Sequence, residues 1–229
     1  IRRIDQQLYA EKSSLENRAY TVITTLKEKA ANTQAFLISY LKAKSSTDVI
    51  EFKSFWIVNM LMVEAVPSVI YEIADMPEIW YIDWDSELDW DKPVNESPAS
   101  TRANSSEIGL KRINAHKMWE SGYTGAGKIV MNIDTGVDGN HPALNYKWRG
   151  SHVPASQAWF DPDGSSFPFD NESHGTHTMG IMTGIDPTTN DTVGVAPGAE
   201  WIAARTIGPS GNFQSNNVAA YQWAMDTDR

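Results

Sequence analysis

Two segments indicate the fold, Ile129-Val-Met-Asn-Ile-Asp134-Thr-Gly-Val-Asp138 and Ser173-His174-Gly-Thr-His177-Thr-Met-Gly180. The nearly continuous apolar run that ends in Asp-Thr-Gly predicts a buried parallel strand over residues 128–134, whose last residue emerges at the carboxyl edge of a sheet. The small and apolar residues 174–184 predict a buried helix that presents His174 to the same edge. We therefore expect Asp134 and His174 to lie close together, as an aspartate that fixes a histidine tautomer must.

The chain order of these groups narrows the chemistry. Unrelated serine hydrolases use the same three groups in different orders, and Asp before His leaves the order of subtilisin, with a serine still to come. On these motifs the chain resembles the subtilisin-like serine proteases, or subtilases. Further matching segments are Gly122-Tyr-Thr-Gly-Ala-Gly127 and Gly194-Val-Ala-Pro-Gly-Ala-Glu-Trp-Ile-Ala-Ala204, while Phe55-Trp-Ile-Val-Asn59 and His141-Pro-Ala-Leu144 are closer to the bacillopeptidase F branch.

The third catalytic group is not found in this sequence. A segment of the Gly-Thr-Ser-Met type does not occur, and the serines after His174, Ser210 and Ser215, lie in a polar stretch typical of a loop. The resemblance implies that the nucleophilic serine, the oxyanion-hole asparagine and one wall of the specificity pocket lie beyond Arg229. We expect the chain to be an internal fragment of a longer serine endopeptidase, inactive by itself.

Composition sets broad limits on the function. With 229 residues, 41% of them hydrophobic, the chain can form a packed core. The absence of cysteine excludes disulfides and thiolate metal sites. A net charge of −10 argues against nucleic-acid binding, and no apolar run approaches the ~20 residues of a membrane span. Secretion is implied by the family resemblance alone.

The first 85 residues have a pattern of their own. Apolar residues recur at three- and four-residue steps over residues 4–44, which predicts one long amphipathic helix that packs without chemistry. Strands are predicted at 49–55, 57–66 and 78–83, with a helix at 67–75. This order resembles a subtilase propeptide, an α+β ferredoxin-like module with its first strand missing, which would act as the enzyme's own folding aid and inhibitor. A free-standing α+β module is the alternative.

The rest of the chain divides into a linker and a catalytic part. Residues 86–107 have linker composition and should contain the processing region. Residues 108–229 predict the N-terminal part of a subtilisin-like α/β domain with a parallel sheet. Its further elements are a strand at 200–206 and a helix at 216–225.

The resemblance implies roles for individual residues. His174 would act as the general base and Asp134 would orient it. The loop residues Ser210, Gly211 and Asn212 would pair with an extended polypeptide substrate, although turn chemistry alone makes an ordinary turn equally acceptable. His177 is interpreted as a hydrogen-bonded interior histidine, and Asp138 as the cap of the turn after Asp134.

The sequence alone leaves metal binding and two other functions as alternatives. Many subtilases bind calcium after the His-Pro pair, but this chain has Ala143 there, so we assign no metal; the loop residues Asp186, Asn190 and Asp191 could still supply oxygens. One alternative function is a metal-dependent hydrolase, and the other is a non-catalytic subtilase relative that acts by binding. The long interval between Asp134 and His174 predicts a surface excursion beside the cleft. The cluster proposed for the metal-dependent hydrolase consists of Asp134, Asp138, His141, His174 and His177.

Overall fold

The structure is a computed structural model that describes residues 2–86, 108–189, 191–208 and 212–226. It contains two compact units, one formed by Ile1–Ser86 with Gln214–Arg229 and the other by Glu87–Phe213. In the described part of the chain, no helix combines the length and the apolar character needed to cross a bilayer.

The first unit begins with two helices. Helices α1 (Arg2–Ala10) and α2 (Leu15–Ala43) are separate, so the prediction of one helix over 4–44 is wrong. The break has a local cause, because Lys12 has a left-handed backbone with φ of 57° and the Ser14 side chain caps α2 by accepting from the Asn17 N–H at 3.2 Å. Serine hydroxyls favour such caps over helix interiors.

A β-hairpin and a short helix complete the first unit's N-terminal part. Strands β1 (Val49–Phe55) and β2 (Met60–Ala65) pair antiparallel, and helix α3 (Pro67–Ala74) follows with proline in its first turn. The second strand begins later than predicted because residues 56–59 form the hairpin turn. The hydrophobic core of the first unit consists of Leu37, Leu41, Val49, Val69 and Ile73.

The predicted strand at 78–83 is wrong. This segment is irregular and pairs with no strand in the described residues, where the sheet of this unit is two-stranded. Alternation of apolar and polar residues alone does not make a strand, because a strand also needs a neighbour that accepts its backbone hydrogen bonds. Trp80 is 93% exposed instead. The ferredoxin-like module is therefore not confirmed.

A charged cluster stabilises the outer surface of the first unit. The Lys44 Nζ donates to Glu72 Oε2 at 2.6 Å, and the Tyr40 hydroxyl donates to the same oxygen. Both hydrogen bonds lower the pKa of Glu72, and the one from Lys44 has the larger effect. The hydrogen bond to Glu72 in turn raises the pKa of Lys44. The cluster joins the end of α2 to α3.

The second unit contains a parallel sheet. After helices α4 (Ile108–Arg112) and α5 (Ala115–Glu120), strand β3 (Ile129–Asp134) pairs with strand β5 (Glu200–Arg205), which pairs with the short strand β4 (Trp159–Phe160), all parallel in the order β3-β5-β4. Helix α6 (His174–Thr183) packs against β3. Strands β3 and β5 and helix α6 confirm the predictions to within one residue at each end, whereas β4 was not predicted. The buried core holds large aromatic side chains and Met179: Trp148, Trp159, Met179 and Trp201.

The last helix, α7 (Phe213–Met225), belongs by its contacts to the first unit from Gln214 onward. The Gln222 Oε1 accepts from the Trp56 backbone N–H at 2.7 Å, and Asp85 Oδ1 accepts from the Gln214 backbone N–H at 3.0 Å. A carboxylate at a helix N-terminus satisfies free N–H groups and complements the helix dipole. The predicted helix at 216–225 is confirmed, with a start three residues earlier.

Candidate active site

Asp134 is the last residue of β3 and lies at the carboxyl edge of the parallel sheet. Its side chain is only 11% exposed. The carboxylate Oδ1 accepts from the backbone N–H of Thr135 at 2.7 Å. The backbone carbonyl of Asp134 accepts from Thr206 N at 2.9 Å, which ties the end of β3 to the end of β5. A carboxylate held in this way keeps a fixed position.

His174 is the first residue of α6, and its Nδ1 lies 2.7 Å from Asp134 Oδ1. A carboxylate only accepts hydrogen bonds, so Nδ1 carries the proton and Nε2 becomes the nitrogen that can take one up. The His174 side chain is 37% exposed. The structure therefore brings together the two residues that the sequence motifs single out, as predicted.

Asp170 organises the loop between the two motifs, and sequence reasoning missed it. Its carboxylate accepts from the hydroxyls of Thr135 and Thr176 and from three backbone N–H groups, those of Glu172, Ser173 and Thr176, at 2.7 to 3.0 Å. The Thr176 N–H belongs to the first turn of α6, so Asp170 caps the helix that carries His174. An aspartate shortly before a helix motif was the available signal.

Two glycines permit close backbone contacts beside Asp134 and His174. A Cβ atom on Gly175 would lie 2.0 Å from the Gly136 carbonyl oxygen and 3.1 Å from the Asp134 Cβ. Gly136 itself has φ of 119°, which disfavours any other residue, and its Cβ would lie 2.1 Å from the Phe169 carbonyl oxygen. The short distance between Asp134 and His174 thus depends on backbone contact.

A buried ion-pair cluster lies at the same edge of the sheet. Arg205, the register partner of Asp134, contacts Asp161 at 3.0 Å and Asp163 Oδ2 at 2.5 Å. The Asp161 side chain is 0% exposed, and the guanidinium lies 4.6 Å from the centre of the Phe169 ring. The interval between the motifs is therefore anchored internally and contributes buried tryptophans, so the prediction of a mere surface excursion is wrong.

The remaining predicted residues are scattered. Asn212 lies directly before α7, whereas Ser210 and Gly211 lie outside the described residues. Asp138 Oδ1 accepts from the Asn140 N–H at 2.9 Å, in the turn expected there. His177 is exposed, so its interpretation as an interior histidine is wrong. The helix turns its Gly175, Met179 and Thr183 face inward, and His177 lies on the opposite face.

The proposed metal cluster does not assemble as a ligand set. Within residues 2–86, 108–189, 191–208 and 212–226, no group of three or more His, Asp or Glu side chains could hold a metal ion. The His141 Nδ1 accepts from the Ala143 N–H at 3.2 Å, in its own turn. In the candidate calcium loop, Asp186 accepts from the Thr188 N–H at 2.8 Å, which lowers the pKa of that carboxyl, and Asn190 lies outside the described residues.

The second half of the chain matches a known protein family. Residues 125–229 match the Subtilase family. This segment is therefore similar to the subtilases. Bacillopeptidase F of Bacillus subtilis (strain 168) is 32% identical over 236 aligned positions, which cover 96% of this chain and 16% of that protein. An alkaline protease of Alkalihalobacillus alcalophilus is 28% identical, with 82% of this chain and 44% of that protein covered.

Subtilisin E of Bacillus subtilis (strain 168) is 27% identical over 77% of this chain and 41% of its own length. The chain thus spans less than half the length of each of these relatives. Both Asp134 and His174 lie within the subtilase segment. The alignment with Bacillopeptidase F also extends over most of the residues before it.

Proposed function

We propose that the protein containing this chain is a serine endopeptidase that hydrolyses peptide bonds through an Asp-His-Ser triad. The hydrogen bond between Asp134 and His174, at the carboxyl edge of a parallel sheet in a subtilase segment, carries the proposal. The nucleophilic serine would come from sequence outside this chain. The relatives named as proteases support the same reaction.

The two residues would act in sequence. His174 Nε2 takes the proton of the serine hydroxyl as the oxygen attacks the substrate carbonyl, and then returns it to the leaving amine. Asp134 holds the proton on Nδ1 and stabilises the imidazolium that forms, because it lies 2.7 Å away and is largely shielded from water. Neither step needs a metal or another cofactor.

Polypeptides are the proposed substrates. An extended peptide would pair with the loop that contains Ser210, Gly211 and Asn212, where backbone hydrogen bonds supply affinity independently of sequence. Calcium has no step in this mechanism. The position after His-Pro is Ala143, whose side chain has no oxygen and whose backbone carbonyl accepts from the Ile185 N–H at 3.2 Å.

Residues 1–85 are proposed to be a propeptide that assists folding and inhibits the enzyme, in a secreted precursor. The compactness of the first unit and its alignment with Bacillopeptidase F support this role. The precursor would cut itself between Trp84 and Ile108. N-terminal sequencing of mature protein should find its start there, while a His174→Ala precursor should stay uncut. Identical processing of that variant in a protease-free preparation would refute self-cleavage.

Casein hydrolysis by the full-length protein tests the reaction class. We expect a serine-directed phosphonate to abolish hydrolysis. A chelator should leave the rate of hydrolysis unchanged at temperatures where the protein stays folded. Inhibition by the chelator alone would support the metal-dependent alternative. A folded protein that neither hydrolyses casein nor reacts with the phosphonate would be the non-catalytic relative.

A further inference from the structure

Asn132 is an unexpected residue within β3. It interrupts the apolar run two residues before Asp134, and it is only 6% exposed. A buried amide is costly unless its hydrogen-bonding groups find partners. Here the Asn132 Nδ2 donates to the Gly175 carbonyl oxygen at 3.0 Å and to the Thr178 Oγ1 at 2.9 Å. Both partners belong to α6.

The direction of these hydrogen bonds follows from chemistry. The Gly175 carbonyl can only accept, so the amide nitrogen of Asn132 must face α6. The Thr178 hydroxyl then accepts from Asn132 and keeps its single proton to donate. Two acceptors are within reach of Thr178 Oγ1, the Gly175 oxygen at 3.0 Å and Asp134 Oδ2 at 3.2 Å.

The carboxylate is the better acceptor for this proton. The Gly175 oxygen already accepts from Asn132, and in an α-helix it also faces the N–H four residues further on. An ionised carboxylate forms the stronger hydrogen bond with a hydroxyl. The chain of donors therefore runs from Asn132 through Thr178 to Asp134 Oδ2.

We propose that Asn132 and Thr178 are positioning residues, which fix the rotation of the Asp134 carboxylate so that Oδ1 stays on His174 Nδ1. The inference rests on the proposed function. With Oδ1 bonded to Thr135 N and His174 Nδ1, and Oδ2 bonded to Thr178, the carboxylate plane is held at both oxygens. Rotation would weaken the bond that sets the histidine tautomer.

The variants separate the hydroxyl from the shape of Thr178. Thr178→Val keeps the branched shape and removes the hydroxyl, and we expect kcat to fall roughly tenfold, since one hydrogen bond to a charged group is lost. Thr178→Ser keeps the hydroxyl and should stay within about threefold of the original enzyme, as its hydrogen bond to the carboxylate remains. KM should change little, because neither residue is proposed to touch the substrate.

Asn132→Val supplies the second half of the test. Without the amide, the Thr178 hydroxyl is no longer directed to Asp134, so kcat should fall by a smaller factor. In a Thr178→Val background the same change should have no further effect on kcat, because the two residues act through one route. Two unrelated structural defects would instead multiply.

The experiment uses the full-length enzyme, with kcat expressed per active site titrated by a fluorophosphonate. Misfolding lowers the number of titrated sites, whereas loss of positioning lowers kcat at each site. If Thr178→Val keeps the turnover per site of the unsubstituted enzyme, or if the two effects multiply in the double variant, the inference is wrong but the proposed function stands. If the unsubstituted full-length protein does not react with the fluorophosphonate, both the proposed function and the inference are wrong.

Discussion

Replacing Gly175 by alanine should separate the two elements that carry Asp134 and His174. The new Cβ would lie 2.0 Å from the Gly136 carbonyl oxygen. Carbon–oxygen contacts in proteins are seldom closer than about 3.3 Å, so the gap between the backbones must open by more than about 1 Å. The atom met at 2.0 Å is a backbone oxygen, and the Asp134 Cβ at 3.1 Å does not move with its rotamer, so a rotamer change cannot relieve the contact.

A displacement of this size is large for a catalytic pair. A misplacement of about 1 Å can cost roughly 100-fold in rate, and overpacking of this kind costs about 1–3 kcal/mol of stability. We therefore expect kcat/KM of the full-length enzyme to fall by roughly 100-fold in Gly175→Ala. Casein or peptide hydrolysis per titrated site measures the first effect, and urea unfolding measures the second.

Gly180→Ala is the matched control. Gly180 lies in the same helix, and a Cβ there would meet nothing within 4 Å. Because alanine favours a helix interior over glycine, this variant should gain up to about 1 kcal/mol and keep its turnover. Normal turnover and stability in Gly175→Ala, or equal losses in both variants, would refute the argument from close backbone contact.

Three further changes give distinct outcomes. Asp134→Asn should leave folding intact and cut turnover of the full-length enzyme by roughly 10⁴, as the wrong tautomer is favoured; near-normal turnover would remove the residue from the mechanism. Arg205→Met should cost about 3–5 kcal/mol in urea unfolding because it leaves Asp161 buried without its cation, and an unchanged unfolding midpoint would contradict the buried ion pair. Glu72→Gln should lose stability at neutral pH, since the bond to Lys44 lowers the pKa of Glu72 in the folded state. That difference should be complete above about pH 4.3 and vanish as the pH falls through the lower folded-state pKa, and its persistence in acid would contradict the assignment.

The sequence predicted the elements that carry the candidate site because their signals are local. An apolar run that ends in Asp-Thr-Gly and a small-residue helix that begins at His174 need no knowledge of distant residues. The predicted pairing of Asp134 with His174 followed from the parallel-sheet rule that strand ends meet at one edge. The structure confirms these elements and their proximity.

The residues that hold the site were harder to predict, because their partners are distant in sequence. Asp170 reads as one of many polar loop residues until its carboxylate is seen between Thr135 and Thr176. In the sequence, Asn132 is only a polar residue that interrupts an apolar strand, because its hydrogen-bond acceptors lie on α6. The strand expected at 78–83 was wrong for the same reason, since a strand is defined by a neighbour that local pattern does not reveal.

The rate at which a fluorophosphonate labels the full-length protein is the sharpest test of whether His174 activates a nucleophilic serine. His174→Ala removes the proposed base, and His177→Ala is its matched control, on the exposed face of the same helix. We expect labelling of one serine outside this chain, lost in His174→Ala and unchanged in His177→Ala. Equal labelling of the original protein and the His174→Ala variant would contradict it.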